Sequence, residues 1–120
     1  MNNRTRFMYL VFGNRRVGCL AMQVNRVAGT VSYGVSVVHD VDSFDREVAQ
    51  SLANKRLDNQ PTMVSLPPGA TGHDISMAVM KNVSRNSAAP TKARRAAVRW
   101  LRRPTVVKNG FDACGVWSNV

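Results

Sequence analysis

Hydrophobic and polar positions along the chain divide it into recognisable elements. From Phe7 to Phe12 both alternating sets are apolar, which suits a strand buried on both faces or the start of a central strand. Gly13-Asn14 then reads as a two-residue hairpin loop of the primed type, where glycine supplies the positive φ, and a second strand is predicted from about Arg16 to Val24. After a turn at Asn25 to Gly29, Val31, Tyr33, Val35 and Val37 alternate without fault with Thr30, Ser32, Gly34 and Ser36. That period of two describes a strand with one buried face and one face of small groups. The three segments make an antiparallel meander. The small residues at 32, 34 and 36 leave their side open to solvent, or let another element or a ligand approach closely.

The period then changes to that of a helix. Asp42 or Ser43 is the predicted N-cap, Asp45 and Glu47 fall in the first turn, and Phe44, Val48, Leu52 and Leu57 with Ala49 and Ala53 form the apolar stripe. This helix is expected to lie across the meander face carrying Val31, Tyr33, Val35 and Val37. Asp58 to Pro61 is a turn, Thr62 to Leu66 a fourth strand, and Pro67-Pro68-Gly69 ends it. Thr71-Gly72-His73-Asp74 matches a capping box, opening a helix to about Ser84 with Ile75, Met77, Val79, Met80 and Val83 on its apolar side. A polar link from Arg85 to Pro90 precedes a last helix, and Thr105-Val106-Val107 is a candidate final strand, with Phe111 and Trp117 as docking residues in the tail. The reading is an α+β fold: a mostly antiparallel sheet, made of the N-terminal meander plus a fourth strand, with helices packed on one face and a basic C-terminal amphipathic helix. All 120 residues form one domain, in which 1–66 hold the sheet and first helix and 85–120 the basic helix and tail.

The last helix changes the picture. Between Thr91 and Arg103, Ala93, Ala96, Ala97, Trp100 and Leu101 follow the spacing of an apolar stripe, while Lys92, Arg95, Arg99, Arg102 and Arg103 gather on another side. Thr91 is the predicted N-cap behind Pro90, and Pro104 stops the helix. Six cations and no carboxylate lie between Lys92 and Arg103, so no partner within the segment neutralises them. The formal charge of the chain is +10; residues 61 to 120 carry nine cations against two anions, and residues 1 to 60 eight against five. Lys81, Arg85 and Lys108 extend the basic run on either side of the helix.

Catalytic chemistry is hard to find in this sequence. His39, Asp40, Asp42 and Asp45 crowd together, but the aspartates suit the start of a helix. His73 and Asp74 belong to the second capping segment. Gly69-Ala70-Thr71-Gly72 precedes a helix without the Lys-Ser/Thr of a phosphate-binding loop, and no Gly-x-Ser-x-Gly elbow is present. Cys19 and Cys114 have neither metal-ligand spacing nor a neighbouring histidine, so no cofactor or metal is expected, and a reducing setting is simpler than a single disulfide between them. The apolar run before Arg15 and Arg16 is shorter than the roughly 7 to 15 residues of a secretory core, and no stretch reaches the roughly 20 of a membrane span. A soluble, cytoplasmic, non-enzymatic protein is expected.

The cations are mostly arginine, whose planar fork binds phosphate in bidentate fashion and stacks on bases. The leading reading is therefore a nucleic-acid-binding protein, on DNA or RNA, contacting the phosphate backbone through Lys92, Arg94, Arg95, Arg99, Arg102 and Arg103, aided by Lys81, Arg85 and Lys108. No Asn or Gln lies among the outward helix positions, which favours backbone contact over base readout. A helix-turn-helix drawn from Asp74–Ser84 and Thr91–Arg103 needs a longer linker than usual. Of the aromatics, Phe7, Tyr9, Tyr33 and Trp100 are expected in the core. The alternative is an inhibitor or an accessory or assembly factor that docks the same basic face on an acidic or nucleic-acid-mimicking protein surface. The size, α+β order and basic arm are similar in general style to accessory proteins of phages and mobile elements, and no motif narrows that likeness to a family. A lipid surface is disfavoured because the apolar stripe is largely alanine.

Overall fold

A computed structural model of the chain describes residues 5–38 and 44–102, together with the backbone of a short strand at Trp117–Ser118. Strands β1 (Thr5–Phe12), β2 (Arg15–Asn25) and β3 (Thr30–Val37) form the antiparallel meander, and β4 (Thr62–Ser65) pairs antiparallel with β3. The two-residue strand β5 (Trp117–Ser118) pairs antiparallel with β1, giving the order β4-β3-β2-β1-β5. Gly13 has a φ of 68° and Asn14 no positive φ, so the first hairpin turns on glycine at its first central position, the pattern of a type II′ loop. A register shift between Leu10 and Val11 bulges the end of that hairpin.

Among the described residues three helices complete the α+β fold: α1 (Arg46–Asn59), α2 (Gly72–Arg85) and α3 (Thr91–Leu101). They do not share one face of the sheet. Helices α2 and α3 cover the face that carries Met8, Leu10, Leu20, Met22, Val31, Tyr33 and Val35, and the main core forms there with Ile75, Val79, Val83 and Trp100. Helix α1 packs on the opposite face, where Ala49, Ala53 and Leu57 meet Cys19 and Ala21. The expectation that α1 covers the Val31 and Tyr33 side is thereby corrected, and the cause lies in the small residues of β3. A side chain at Gly34 would run into the backbone of Leu57 and come within 2.5 Å of the Ala53 carbonyl, so only glycine lets the helix come this close. Ser36 Oγ donates to the Ala49 carbonyl at 2.8 Å, and Arg56 Nη1 to the Val35 carbonyl at 2.6 Å, fastening the helix to the strand.

The apolar stripe of α1 shifts with its docking. Ala49, Ala53 and Leu57 are buried, whereas Val48 and Leu52, expected in the core, are exposed. A helix backbone lying directly on glycine leaves room for alanine beneath it and turns larger neighbours outward. Its N-cap is Asp45 rather than Asp42 or Ser43: the Asp45 carboxylate accepts from Val48 N at 3.1 Å, as an N-cap carboxylate does two or three residues before its donor. In α2 the expected capping box is complete, with Thr71 Oγ1 accepting from Asp74 N and the Asp74 carboxylate from Thr71 N. For α3 the cap is Pro90, not Thr91: the Pro90 carbonyl already accepts from Arg94 N, and Thr91 is the first helical residue. The segment Thr105–Val107 and Phe111 lie outside the described residues.

Candidate nucleic-acid interface

The candidate surface starts where the apolar row of β1 leaves the core. Met8 and Leu10 are fully buried beneath the helices, and the next residue in that row, Phe12, ends the strand 39 % exposed. The hairpin register sets Arg15 directly across from it. Helix α3 crosses the same side of the sheet on a buried stripe of Ala93, Ala96, Ala97 and Trp100, which fixes its rotation about its own axis. Arg95, Arg99 and Arg102, spaced by one helical turn, are exposed on its other side.

At the hairpin tip, Arg99 of the helix reaches Phe12. The Arg99 guanidinium carbon lies 4.8 Å from the centroid of the Phe12 ring, within cation–π range. Two hollows adjoin there, and Phe12 and Arg95 line both. One, of about 250 Å³, runs along Arg15, Val17, Val38 and Lys92. The other, of about 530 Å³, runs along Arg94, Val98, Arg99 and Arg102 and reaches Ser84 of α2. Both have cationic rims on an aromatic and aliphatic floor, a chemistry suited to a flexible polyanion that also offers flat apolar surfaces.

Each cation sits differently. Lys92 is half-buried, and its Nζ donates to the Val38 carbonyl at 2.8 Å, tying α3 to the end of β3. Arg94 is half-buried and its Nη2 donates to Thr91 Oγ1 at 3.2 Å. Arg16 borders the smaller hollow, but its guanidinium stacks 4.6 Å from the Tyr9 centroid, and Tyr9 packs with Phe44 on the α1 side. Lys81 and Arg85 are exposed on α2 and line neither hollow, although Ser84 between them does. Arg103 and Lys108 lie outside the described residues.

None of the described carboxylates lines either hollow. Asp45, Glu47 and Asp58 belong to α1 or its cap, behind the sheet. Asp74 is committed to Thr71, whose backbone and side-chain hydrogen bonds hold its carboxyl below the ordinary carboxylate range. Positive potential therefore builds on the α3 side of the sheet without a described acid among the arginines.

The remaining candidates have other tasks. Tyr33 and Trp100 are buried, the former with its hydroxyl donating to Asn82 Oδ1 at 2.7 Å and accepting from Asn86 Nδ2 at 3.1 Å. Phe7 and Tyr9 pack against the small cluster under α1. Asp45 caps α1, while His39, Asp40 and Asp42 lie outside the described residues; among the described residues no three His, Cys, Asp or Glu side chains come together as metal ligands. Cys19 is a buried thiol pushed up to about 12 by desolvation, which removes its nucleophilic form. No described helix is long and apolar enough to cross a membrane.

Phe12 and Arg15 were not among the sequence-derived candidates. Their signal was present in the hairpin itself: a Gly-Asn turn at 13 and 14 pairs residue 12 with residue 15, so an aromatic and an arginine must sit side by side at its tip. In comparisons with known proteins, no family model, no curated protein and no solved structure matches the chain.

Proposed function

We propose that this chain is a non-enzymatic nucleic-acid-binding protein that grips the phosphate backbone along α3 and the tip of the β1–β2 hairpin. The observation that carries the reading is the meeting of Arg15 with Arg95, Arg99 and Arg102 around Phe12, from segments far apart in sequence. Arginines scattered for solubility alone have no reason to border shared hollows. The bidentate guanidinium fork and the absence of a described acid among these groups both favour phosphate as the ligand. Binding by such a surface is largely independent of sequence, because its charges address the backbone and not the base edges.

Purification tests the reading. The wild-type protein prepared at low ionic strength is expected to carry nucleic acid, seen in its ultraviolet absorbance, and to lose it in a high-salt wash. An Arg95→Glu, Arg99→Glu double variant with an unchanged circular dichroism spectrum is expected to emerge free of it. A wild-type protein that never carries nucleic acid, and that keeps an acidic protein partner after nuclease treatment, contradicts the reading and supports docking on a protein surface instead.

A further inference from the structure

We propose that the groove around Phe12 takes single-stranded nucleic acid, with an unpaired base stacked on the Phe12 ring and its flanking phosphates on Arg15, Arg95 and Arg99. This rests on the nucleic-acid reading above and names the form of the ligand.

Three observations lead to it. The ring is a large aromatic left 39 % exposed, while the preceding residues of its row, Met8 and Leu10, are buried; it is the point at which the apolar surface of the core opens among cations. The two hollows share Phe12 and Arg95, so a strand running from one to the other passes the ring. The Arg99 guanidinium lies 4.8 Å from the ring centroid, which sets a cation within reach of the phosphates that flank a base held at the exposed part of the ring.

A duplex cannot use such a platform without unstacking, because its base faces are covered by their neighbours. A single strand can present a base while its phosphates remain on the rim. Base–aromatic stacking tolerates any sequence, since every base has a π-face. The smaller hollow, about 250 Å³, lies below the roughly 300–1,000 Å³ usual for small-molecule sites and suits one ring system entering from an open groove.

The test measures fluorescence anisotropy with a labelled oligothymidylate about 12 nucleotides long and a duplex of equal length, at matched salt. Wild-type protein is expected to bind the single strand more tightly. Phe12→Ala is expected to lose roughly 5- to 150-fold on the single strand, equivalent to about 1–3 kcal/mol of stacking at ~1.4 kcal/mol per factor of ten, with little change on the duplex. Phe12→Trp restores single-strand affinity, which separates stacking from a folding defect. Equal affinity for both forms, or a Phe12→Ala variant unchanged or weakened equally on both, overturns the single-strand proposal while leaving backbone binding in place. Failure of the wild type to bind either oligonucleotide at low salt overturns the nucleic-acid reading itself.

Discussion

Arg99 and Phe12, one on the last described helix and the other at the end of the first strand, stack with 4.8 Å between guanidinium carbon and ring centroid. The contact joins the helix to the hairpin tip and brings Arg15 into the same cationic rim as Arg95. If that rim is one binding surface, charge on the hairpin and charge on the helix act together. Arg15→Gln is then expected to weaken nucleic-acid binding several-fold and to lower the salt slope by about 0.7 on a single strand. Arg46→Gln, on the far side of the sheet, is expected to change neither. Anisotropy titrations of the two variants at several salt concentrations check the comparison, and equal effects would mean that net charge alone drives binding.

Helix α1 depends on Gly34. A methyl group there meets helix backbone at Leu57 and Ala53, which cannot rotate away as a side chain does. Gly34→Ala is expected to cost about 1–3 kcal/mol, the usual range for overpacking, with Gly34→Val costing more. Urea unfolding curves give the value directly. A neutral Gly34→Ala would show that α1 does not lie on β3 as described.

The Asp74 carboxylate accepts the Thr71 backbone N–H and is held below its ordinary range by that bond first and by the Thr71 side chain second. A carboxyl with a lowered folded-state pKa stabilises the protein above its unfolded pKa, and the contribution fades as pH falls through the folded value. Thr71→Ala, which removes the side-chain acceptor of the Asp74 N–H, is expected to lower stability at neutral pH. Asp74→Asn is expected to narrow its difference from wild type as the medium becomes strongly acid. Thermal melts across acidic pH follow both variants.

Cys19 lies between the sheet and α1, with its thiol raised to about 12 by desolvation. In a Cys114→Ser variant, which leaves it the single thiol, a chromogenic disulfide reagent at neutral pH is expected to react on the timescale of unfolding rather than of mixing. Rapid reaction in the native state would contradict the packing of α1 over β2.

Periodicity made the sheet and its helices legible, because side-chain alternation in Val31 to Val37 and the capping box at Thr71 and Asp74 act through local geometry. The choice of sheet face for α1 was not legible in the same way. It turns on a backbone-to-backbone approach at Gly34, and the exposed Val48 and Leu52 pulled the predicted stripe toward the wrong side of the helix. Cations of the candidate surface were visible as a run from Lys92 to Arg102. Phe12 and Arg15 were not, since their place beside that run depends on α3 crossing β1, a long-range contact that no local spacing encodes.

The measurement that bears most directly on the account is the salt dependence of binding to a single-stranded oligonucleotide. With about six phosphates engaged, log K is predicted to fall against log salt with a slope of about −4, and Arg95→Gln with Arg99→Gln to make it shallower by about 1.4. Absence of binding at the lowest salt, or a slope that the double variant leaves unchanged, would contradict it.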